Sequence, residues 1–361
     1  MSPNVSLLSA FLVQKKKGLD LIFKFFSLPT MSDISLPKSS STVTGKALNL
    51  ASPTTNIPAG LFLSPVKPRK EKLWSNDYAF LIEHPNTGQK VMFDLGPMKD
   101  FTKLAPAMQG LLAQAGFEMT VDADIAEQLD AGGVSLEQVH SVIWSHSHFD
   151  HTGDMSRFPS STKLYIGKGT DRRAYPSVPD AMLLESDFAG REVIEVDWEK
   201  PDLTIGGAAA VDFFADGSFY LIDTPGHLPG HLTALARVKE DSFVLLGGDC
   251  CHHPGQLRPN DHLHKTCPCP VGTLTDLSKP VLTIPEGFSM YADRPSAIES
   301  QEKIRKLEAH PDVFLIAAHD PSLDEIITLF PESVNDWKEL GWKPKAVWAF
   351  LQEGNKGYGY H

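Results

Sequence analysis

The stretch His146-Ser147-His148-Phe149-Asp150-His151 places three imidazoles and one carboxylate within six residues. It follows the apolar run 141–144, which is typical of a short buried strand. Because side chains alternate along a strand, His146 and His148 can face the same way. Asp150 and His151 can then reach a neighbouring point where the chain turns. This spacing predicts two adjacent cation sites at the end of one strand.

Side chains of the same types recur after three later strand-like runs. They are His227 and His231 in Thr224-Pro225-Gly226-His227-Leu228-Pro229-Gly230-His231 after run 219–222, Asp249 after run 243–246, and His319 after run 313–316. Open α/β sheets place ligand sites at the ends of their strands. A solvated polar loop could account for two clustered imidazoles, but four strand ends with such side chains favour a metal centre.

In this order, the side chains resemble the ligand set of the metallo-β-lactamase superfamily: His146, His148, Asp150, His151, His227, Asp249 and His319. The Thr-Pro-Gly-His-x-x-Gly-His element more closely resembles the dinuclear branch with N-acyl homoserine lactonases and glyoxalase II-type thioesterases. The resemblance spans roughly residues 43 to 325, most of the chain. It implies an α/β protein with a four-layer αββα sandwich, which agrees with the alternating strands and helices.

The same resemblance divides the chain into two parts. We expect a metallo-β-lactamase-like hydrolase domain over residues 43–361, preceded over residues 1–42 by a disordered tail or an extended N-terminus. Met31 is a plausible alternative start of the chain. A weak organelle address in the first thirty residues is the other interpretation.

The resemblance also implies a role for each side chain of the predicted centre. His146, His148 and His227 would hold one metal, Asp150, His151 and His319 the other, and Asp249 would bridge both. Imidazole and carboxylate ligands suit two Zn²⁺ ions, with Mn²⁺ or Fe²⁺ as alternatives. A hydroxide shared by the two metals would attack a carbonyl carbon, and Asp150 could also carry a proton to the leaving group. Asp94 and His231 would orient ligands from outside.

One position departs from the lactonase pattern. Lactonases carry a tyrosine three residues after the bridging aspartate, where this chain has His252. We predict that His252 donates a hydrogen bond to the developing oxyanion, although a plain loop role for His252 and His253 has equal weight. Cys250 and Cys251 are expected to line the metal pocket rather than bind metal.

These features favour an enzyme that hydrolyses a small cyclic ester or amide. Two alternatives stay open. One is a thioesterase of the glyoxalase II type, whose anionic substrates would meet basic side chains in candidate loops: Lys168, Arg172, Arg173, Arg258 and Lys265. The other is an iron-dependent dioxygenase on the same fold. Metal content and oxygen uptake distinguish these reactions.

Charge and hydropathy limit the partners. A net charge of −12 argues against nucleic acid, which binds basic surfaces. No apolar run reaches the length of a membrane span. We therefore expect a cytoplasmic protein with a small-molecule substrate, and we leave open a homodimer.

Hydrophobic periodicity predicts the remaining elements. The predicted strands are 44–50, 163–167 and 193–196, with a hairpin formed by 77–82 and 90–94. The predicted helical segments are 98–116, 123–129, 136–139, 295–309 and 320–329. Segment 255–285 has little periodicity and is expected to be a functional or mobile loop. Segment 172–192 is expected to hold substrate-facing loops.

Overall fold

The computed structural model of the chain describes residues 34–51 and 56–360. The strands of its first half are β1 (Thr44–Asn49), β2 (Asn56–Pro58), β3 (Lys72–Trp74), β4 (Tyr78–Glu83), β5 (Lys90–Phe93), β6 (Val139–Ile143), β7 (Lys163–Gly167), β8 (Ala174–Tyr175), β9 (Leu183–Leu184) and β10 (Val193–Val196). Six of them form the first sheet, in the order β1-β4-β5-β6-β7-β10. β5, β6, β7 and β10 run parallel, so the chain leaves β6 at the same edge as it leaves its parallel neighbours.

The second sheet uses the later strands in sequence order. They are β11 (Leu203–Ile205), β12 (Ala208–Asp212), β13 (Phe219–Asp223), β14 (Leu232–Lys239), β15 (Ser242–Leu246) and β16 (Val313–Ile316). Neighbours are antiparallel except β15 and β16, which are parallel. β13, β15 and β16 therefore run in one direction, and their carboxyl ends share one edge.

The structure contains seven α-helices among the described residues, and two of them, the second and the sixth, cover the outer faces of the two sheets. The seven helices are α1 (Pro106–Ala115), α2 (Ile125–Ala131), α3 (Phe149–Thr152), α4 (Glu185–Phe188), α5 (Asp261–Thr266), α6 (Arg294–Ala309) and α7 (Trp342–Ala346). Ile125 and Leu129 of α2 pack on the first sheet, and Ile304 and Leu307 of α6 pack on the second. The resulting layers are α, β, β and α, as the sequence predicted.

The side chains of β4 alternate between two hydrophobic cores, one on each face of the first sheet. Phe80 and Ile82 belong to the hydrophobic cluster between the sheets, whereas Ala79 and Leu81 belong to the cluster under α2. Burying a large apolar side chain contributes about 1.5–3 kcal/mol. Both faces of the strand are apolar because each meets another layer.

Most predicted elements are confirmed with shifted ends. β1 and β7 match their predictions, β4 and β5 form the predicted antiparallel hairpin, and the predicted helix 295–309 is α6. Two helical predictions were too long, for 98–116 and for 320–329. Only one 3-10 turn, Pro321–Leu323, follows Asp320, because Glu325 adopts φ 67° and ends any helical path.

The first helix is short for a local reason. Pro106 occupies its first turn, and the residue before a proline avoids helical angles, so segment 98–105 contains only the 3-10 turn Phe101–Lys103. The predicted helix over 136–139 is likewise a 3-10 turn, Leu136–Gln138, directly before β6.

Packed structure begins before the predicted boundary at residue 43. Ile34 and Leu36 pack against the cluster of the second sheet, and the guanidinium of Arg237 donates a hydrogen bond to the carbonyl of Pro37. The rest of the predicted tail, residues 1–33, lies outside the described residues. Within the described ranges, no helix is both long and apolar enough to cross a membrane.

Part of the predicted loop 255–285 is held by a buried ion pair. The Nε atom of Arg258 donates to Glu308 of α6 over 2.8 Å, and another guanidinium nitrogen donates to the carbonyl of Val347 over 3.0 Å. Arg258 is 2% exposed, so it ties this loop and the C-terminal segment to α6. Because its guanidinium is buried and already paired with Glu308, Arg258 is not available as a cation for substrate.

Candidate metal centre

All seven predicted metal-binding side chains lie at one edge of the sandwich. His146 and His148 follow β6, and α3 carries Asp150 and His151. The other three, His227, Asp249 and His319, follow β13, β15 and β16. The centre therefore forms where the carboxyl ends of both sheets meet, and each sheet contributes to it.

Glycines let the His227 loop approach the first sheet. Gly230 adopts φ 79°, a left-handed conformation that other residues avoid. A Cβ atom on Gly167, at the end of β7, would lie 2.0 Å from the carbonyl oxygen of Gly230. Gly226 adopts φ 125°, and a Cβ atom there would lie 2.1 Å from the amide of Ala297 in α6. The glycines of the Thr-Pro-Gly-His-x-x-Gly-His element thus bring His227 into the centre.

The first cluster contains three imidazoles and one carboxylate oxygen. The Nδ1 atom of His148 lies 2.9 Å from Nε2 of His146 and 2.9 Å from Nε2 of His227. The Oδ2 atom of Asp249 lies 3.1 Å from Nε2 of His227 and 3.5 Å from Nε2 of His146. These four atoms form a compact set with the composition of a divalent cation site.

The second cluster shares Asp249 with the first. Its other carboxylate oxygen, Oδ1, lies 3.0 Å from Nε2 of His151 and 3.1 Å from Nε2 of His319. Asp150 completes the set, with Oδ2 lying 3.6 Å from Nε2 of His319. Asp249 therefore presents one oxygen to each cluster, which is the geometry of a bridging carboxylate.

The residues fit two metal ions. Ligands of one tetrahedral ion, with bonds near 2.0–2.1 Å, lie roughly 3.3 Å from one another, close to the separations in both clusters. Two buried polar atoms here, Oδ1 of Asp249 and Nδ1 of His227, make no hydrogen bond with the described residues. The imidazole nitrogens nearest to Oδ1 of Asp249 belong to His151 and His319, at 3.0 and 3.1 Å. A cation between these atoms would satisfy the carboxylate oxygen.

Burial and charge set the protonation of the first cluster. Burial lowers the pKa of His148 to about 3 and that of His227 to about 4. Burial also lowers the pKa of His146 well below its usual value. These imidazoles are therefore neutral at pH 7, as metal binding requires.

In the second cluster, neighbouring carboxylates raise the pKa of both imidazoles. Burial lowers the pKa of His319, but the carboxylates of Asp249, Asp150 and Asp77 together outweigh burial and raise it to about 10. The pKa of His151 is also raised, against burial, by Asp249 and Asp94. Burial raises the pKa of Asp249, yet the imidazoles of His319 and His151 hold it well below its usual range. A divalent cation would supply the charge that these two protonated imidazoles carry.

Three neighbouring groups fix the orientation of the imidazoles and of Asp249. Asp94 lies 2.9 Å from Nδ1 of His151, as the sequence predicted for a supporting aspartate. Nδ1 of His319 donates to the carbonyl of Asn76 over 2.9 Å. His231 accepts from the amide of Asp249 over 3.1 Å. Partners of this kind select the ring nitrogen that remains available to a metal.

His231 itself is held outside the two clusters. Its Nδ1 atom lies 2.8 Å from the carbonyl oxygen of Thr224, while Nε2 accepts from Asp249. Both ring nitrogens are therefore occupied. This placement agrees with the expectation that His231 supports ligands rather than acting as one.

His252 lies between the centre and a buried tyrosine. Its Nε2 atom lies 3.0 Å from Oδ2 of Asp249, and its Nδ1 atom lies 2.8 Å from the phenolic oxygen of Tyr291. The backbone amide of His252 donates to Gln256 over 2.8 Å. His253 differs, because it donates to the carbonyl of Gly357 and accepts from the amide of Gly255. His253 is therefore a structural residue.

A largely apolar cavity of about 380 Å³ opens onto the centre. Its floor carries His148, Asp150, Asp249, His252 and His319. Its walls include Phe62, Met108, Phe117, Phe149, Phe288 and Met290. The lining that the structure describes contains neither lysine nor arginine. Such a chamber suits an uncharged, apolar molecule.

Several residues differ from their predicted places. Cys250 and Cys251 do not line this cavity but pack in the cluster between the second sheet and α6, because the chain turns back after Asp249. Arg172 and Arg173 line a separate shallow depression. No residue of segment 172–192 belongs to the cavity lining. The loops that were predicted to face the substrate therefore lie away from this cavity.

Sequence reasoning missed Tyr291 and Asn76. Tyr291 lies in an irregular segment where nothing marks it as a partner of His252. Asn76 supports His319 through its backbone carbonyl, a role that its side-chain type does not reveal. The run Ser75-Asn76-Asp77 did carry a signal, because three polar residues precede a strand that is apolar on both faces.

Comparisons with known proteins identify the family of this chain. Residues 74–239 match the family model of the metallo-beta-lactamase superfamily. The chain is 35% identical to the protein named gamma-lactamase FDB1 of Fusarium pseudograminearum, over 87% of this chain and 83% of that protein. It is 40% identical to the protein named metallo-hydrolase mfmC of Annulohypoxylon moriforme, over 76% of this chain and 78% of that protein.

A solved structure shares the fold at lower sequence identity. It is an N-acyl homoserine lactone hydrolase with the product N-hexanoyl-L-homoserine bound at its catalytic metal centre. The TM-score is 0.54 at 16% identity, covering 82% of this chain and all of the other chain. Because the two more similar relatives cover most of both sequences, this protein belongs to the metallo-beta-lactamase superfamily and is a metallo-hydrolase.

Proposed function

We propose that this protein is a dinuclear metal-dependent hydrolase that opens a small, uncharged cyclic ester or amide. The observation that carries the proposal is the position of Asp249, whose two oxygens face two separate sets of nitrogen donors. Two divalent ions, preferably Zn²⁺, would activate water and polarise the substrate carbonyl. His146, His148 and His227 would hold one ion, and Asp150, His151 and His319 the other.

Asp150 is the side chain best placed to move a proton. It lines the cavity, and its carboxylate is 13% exposed, whereas that of Asp249 is 2% exposed. A substrate in the cavity can therefore reach Asp150 with its leaving group. We propose that Asp150 passes a proton to the ring oxygen or nitrogen as the carbonyl–heteroatom bond breaks.

We propose that His252 positions Asp249. The predicted alternative was donation to the oxyanion. The 3.0 Å contact with Oδ2 of Asp249 favours positioning, because a proton on Nε2 would be donated to that carboxylate and not to the substrate. His252 also lines the cavity, so its ring forms part of the substrate surface.

The chemistry of the cavity favours cyclic esters and amides over glutathione thioesters. Glutathione carries carboxylates, and basic side chains that would receive them are absent from the described lining. Two of the predicted cations have other partners, since Lys168 pairs with Glu199 and Arg173 with Asp171. The name gamma-lactamase, borne by a relative that covers most of the chain, points the same way.

A substrate panel tests this proposal. Zinc- and manganese-loaded protein would be assayed with uncharged lactones and lactams, their carboxylated analogues and a glutathione thioester. Turnover should be highest with an uncharged ring. Preference for the thioester would refute the substrate assignment, and oxygen consumption by an iron-loaded protein would move the chain to the dioxygenases.

A further inference from the structure

Asp77 is a buried carboxylate without an evident partner. It lies directly before β4 and is 1% exposed. Neither of its carboxylate oxygens makes a hydrogen bond with the residues that the structure describes. An unpaired carboxylate in a protein interior is costly. Such a group therefore calls for a physical explanation.

The backbone of Asp77 is fixed beside the second cluster. On one side, the carbonyl of Asn76 accepts a hydrogen bond from Nδ1 of His319 over 2.9 Å. On the other, the amide of Tyr78 donates to the carbonyl of Ala318 over 3.0 Å. The amide of Asp77 itself donates to the side chain of Asn49. Asp77 is therefore attached through both neighbours to the segment that carries His319.

The charges that act on Asp77 are those of the second cluster. Burial raises the pKa of its carboxyl to about 8. His151 and His319 act in the opposite direction, while Asp150 and Asp249 add to the increase. Every residue proposed to hold the second ion thus interacts electrostatically with Asp77.

We propose that Asp77 is a charge-compensating residue of the second cation site, which raises the affinity for a divalent ion there without being a ligand. The inference rests on the proposed metal function. A divalent ion among Asp150, His151, His319 and Asp249 would face Asp77 across a water-poor interior, where opposite charges attract strongly. In the metal-free protein the same buried carboxyl group is destabilising, because neither of its oxygens has a hydrogen-bond partner among the described residues.

The variant Asp77→Asn tests this role, because the amide has nearly the shape of the carboxylate but no charge. Stepwise zinc binding would be measured by competition with a chromogenic chelator. We expect the weaker of the two affinities to fall by roughly tenfold to a hundredfold, the usual effect of removing a supporting group. If the first cluster binds zinc more tightly, the tighter affinity should stay unchanged. If the tighter affinity falls and the weaker one stays unchanged, the second cluster is the tighter site.

Thermal unfolding adds a readout that does not depend on turnover. Without metal, Asp77→Asn should melt at a higher temperature than the wild type, because a buried carboxyl group without a hydrogen-bond partner has gone. With saturating zinc, this advantage should shrink or reverse. A matched control is Asp187→Asn in α4, since Asp187 is also a buried carboxyl and its oxygen accepts from the amide of Leu184. Any effect of Asp187→Asn on melting should be the same with and without zinc.

The outcomes separate this inference from the proposed function. A wild type that binds no divalent ion would overturn both. A wild type that binds two ions, with unchanged affinities in Asp77→Asn, would overturn the role of Asp77 alone. An Asp77→Asn protein that fails to fold without metal would also overturn it, because the carboxylate would then stabilise the metal-free chain.

Discussion

The phenolic oxygen of Tyr291 lies 2.8 Å from the Nδ1 atom of His252, and both side chains are buried. The opposite ring nitrogen of His252 lies 3.0 Å from the carboxylate of Asp249. The tyrosine hydroxyl has two acceptors within reach, Nδ1 of His252 and, at 3.3 Å, the side-chain oxygen of Gln256. When the hydroxyl donates to the nearer acceptor, Nδ1, the ring proton sits on Nε2 and points to Asp249. A tyrosine with no access to the cavity thereby selects the tautomer of a residue at the centre.

Replacing Tyr291 by phenylalanine should remove this selection while keeping the ring. We expect kcat to fall by roughly tenfold to a hundredfold with little change in KM, because the Asp249 carboxylate loses its fixed orientation. Both metal ions should be retained at saturating zinc. Tyr360→Phe is the control, since Tyr360 is a buried tyrosine that donates to the carbonyl of Lys72. Equal kcat values for wild type and Tyr291→Phe would contradict the role of this hydrogen bond.

Asp249→Ala should affect both ions at once. The variant removes the one carboxylate that faces both clusters, so metal retention and turnover should be nearly lost. Elemental analysis after gel filtration measures metal retention. The assay with the best lactone or lactam measures turnover. Asp223→Ala is the control, because Asp223 ends β13 but belongs to neither cluster. Full activity in Asp249→Ala would refute the metal assignment.

His252→Ala should instead keep both ions at saturating zinc. If His252 positions Asp249, kcat should fall about as far as it does in Tyr291→Phe, and the double variant should lose little more. If His252 donates to the oxyanion, the loss should reach the order of 10²–10³-fold, and Tyr291→Phe should have a smaller effect. Loss of one ion from His252→Ala would show that the imidazole is itself a ligand.

Removing the metal should lower the stability of the whole domain. Each proposed cation site contains side chains from both sheets, so a bound ion connects the two halves of the sandwich. At an ion concentration a hundred times Kd, each site would add about 2.7 kcal/mol to the free energy of unfolding. Thermal melts with a chelator should therefore begin at lower temperature and recover after zinc is restored. Identical melts would show that metal binding and folding are not coupled.

Phe288 should contribute to substrate affinity. Its side chain is 83% exposed although it borders the cavity, so an apolar substrate would cover it. Phe288→Ala should raise KM severalfold and leave kcat nearly unchanged, since Phe288 is not among the proposed ligands. Val271→Ala serves as the control, because Val271 is fully exposed and lies outside the cavity lining. An unchanged KM would exclude Phe288 from the binding surface.

The metal-type residues could be found in the sequence because two regularities coincide. Apolar runs form strands. When these strands run in one direction, the polar residues directly after the runs lie at one edge of the sheet. His227, Asp249 and His319 follow this rule, as do the residues from His146 to His151. The packing of one sheet on the other was predicted from the resemblance to a known family, because local periodicity does not indicate how sheets pack.

Other features depend on contacts between distant segments. Tyr291 meets His252 across 39 positions of chain, and no periodic pattern connects them. The substrate cavity was equally hidden, because its walls come from β2, α1 and segment 288–290. The overlong helix predicted after Asp320 failed for a local reason, since Asp320 caps a single turn before Glu325 takes a left-handed backbone angle.

The sequence separation within the centre has a consequence for biosynthesis. His151 and His319 are 168 positions apart, yet their ring nitrogens approach to 3.3 Å. During synthesis from the N-terminus, the first sheet and most of the second emerge before His319 exists. We expect that a divalent ion at the second cluster could be bound only after residue 319 has left the ribosome. Such an ion would stabilise the folded domain rather than serve as a template for the early steps of folding.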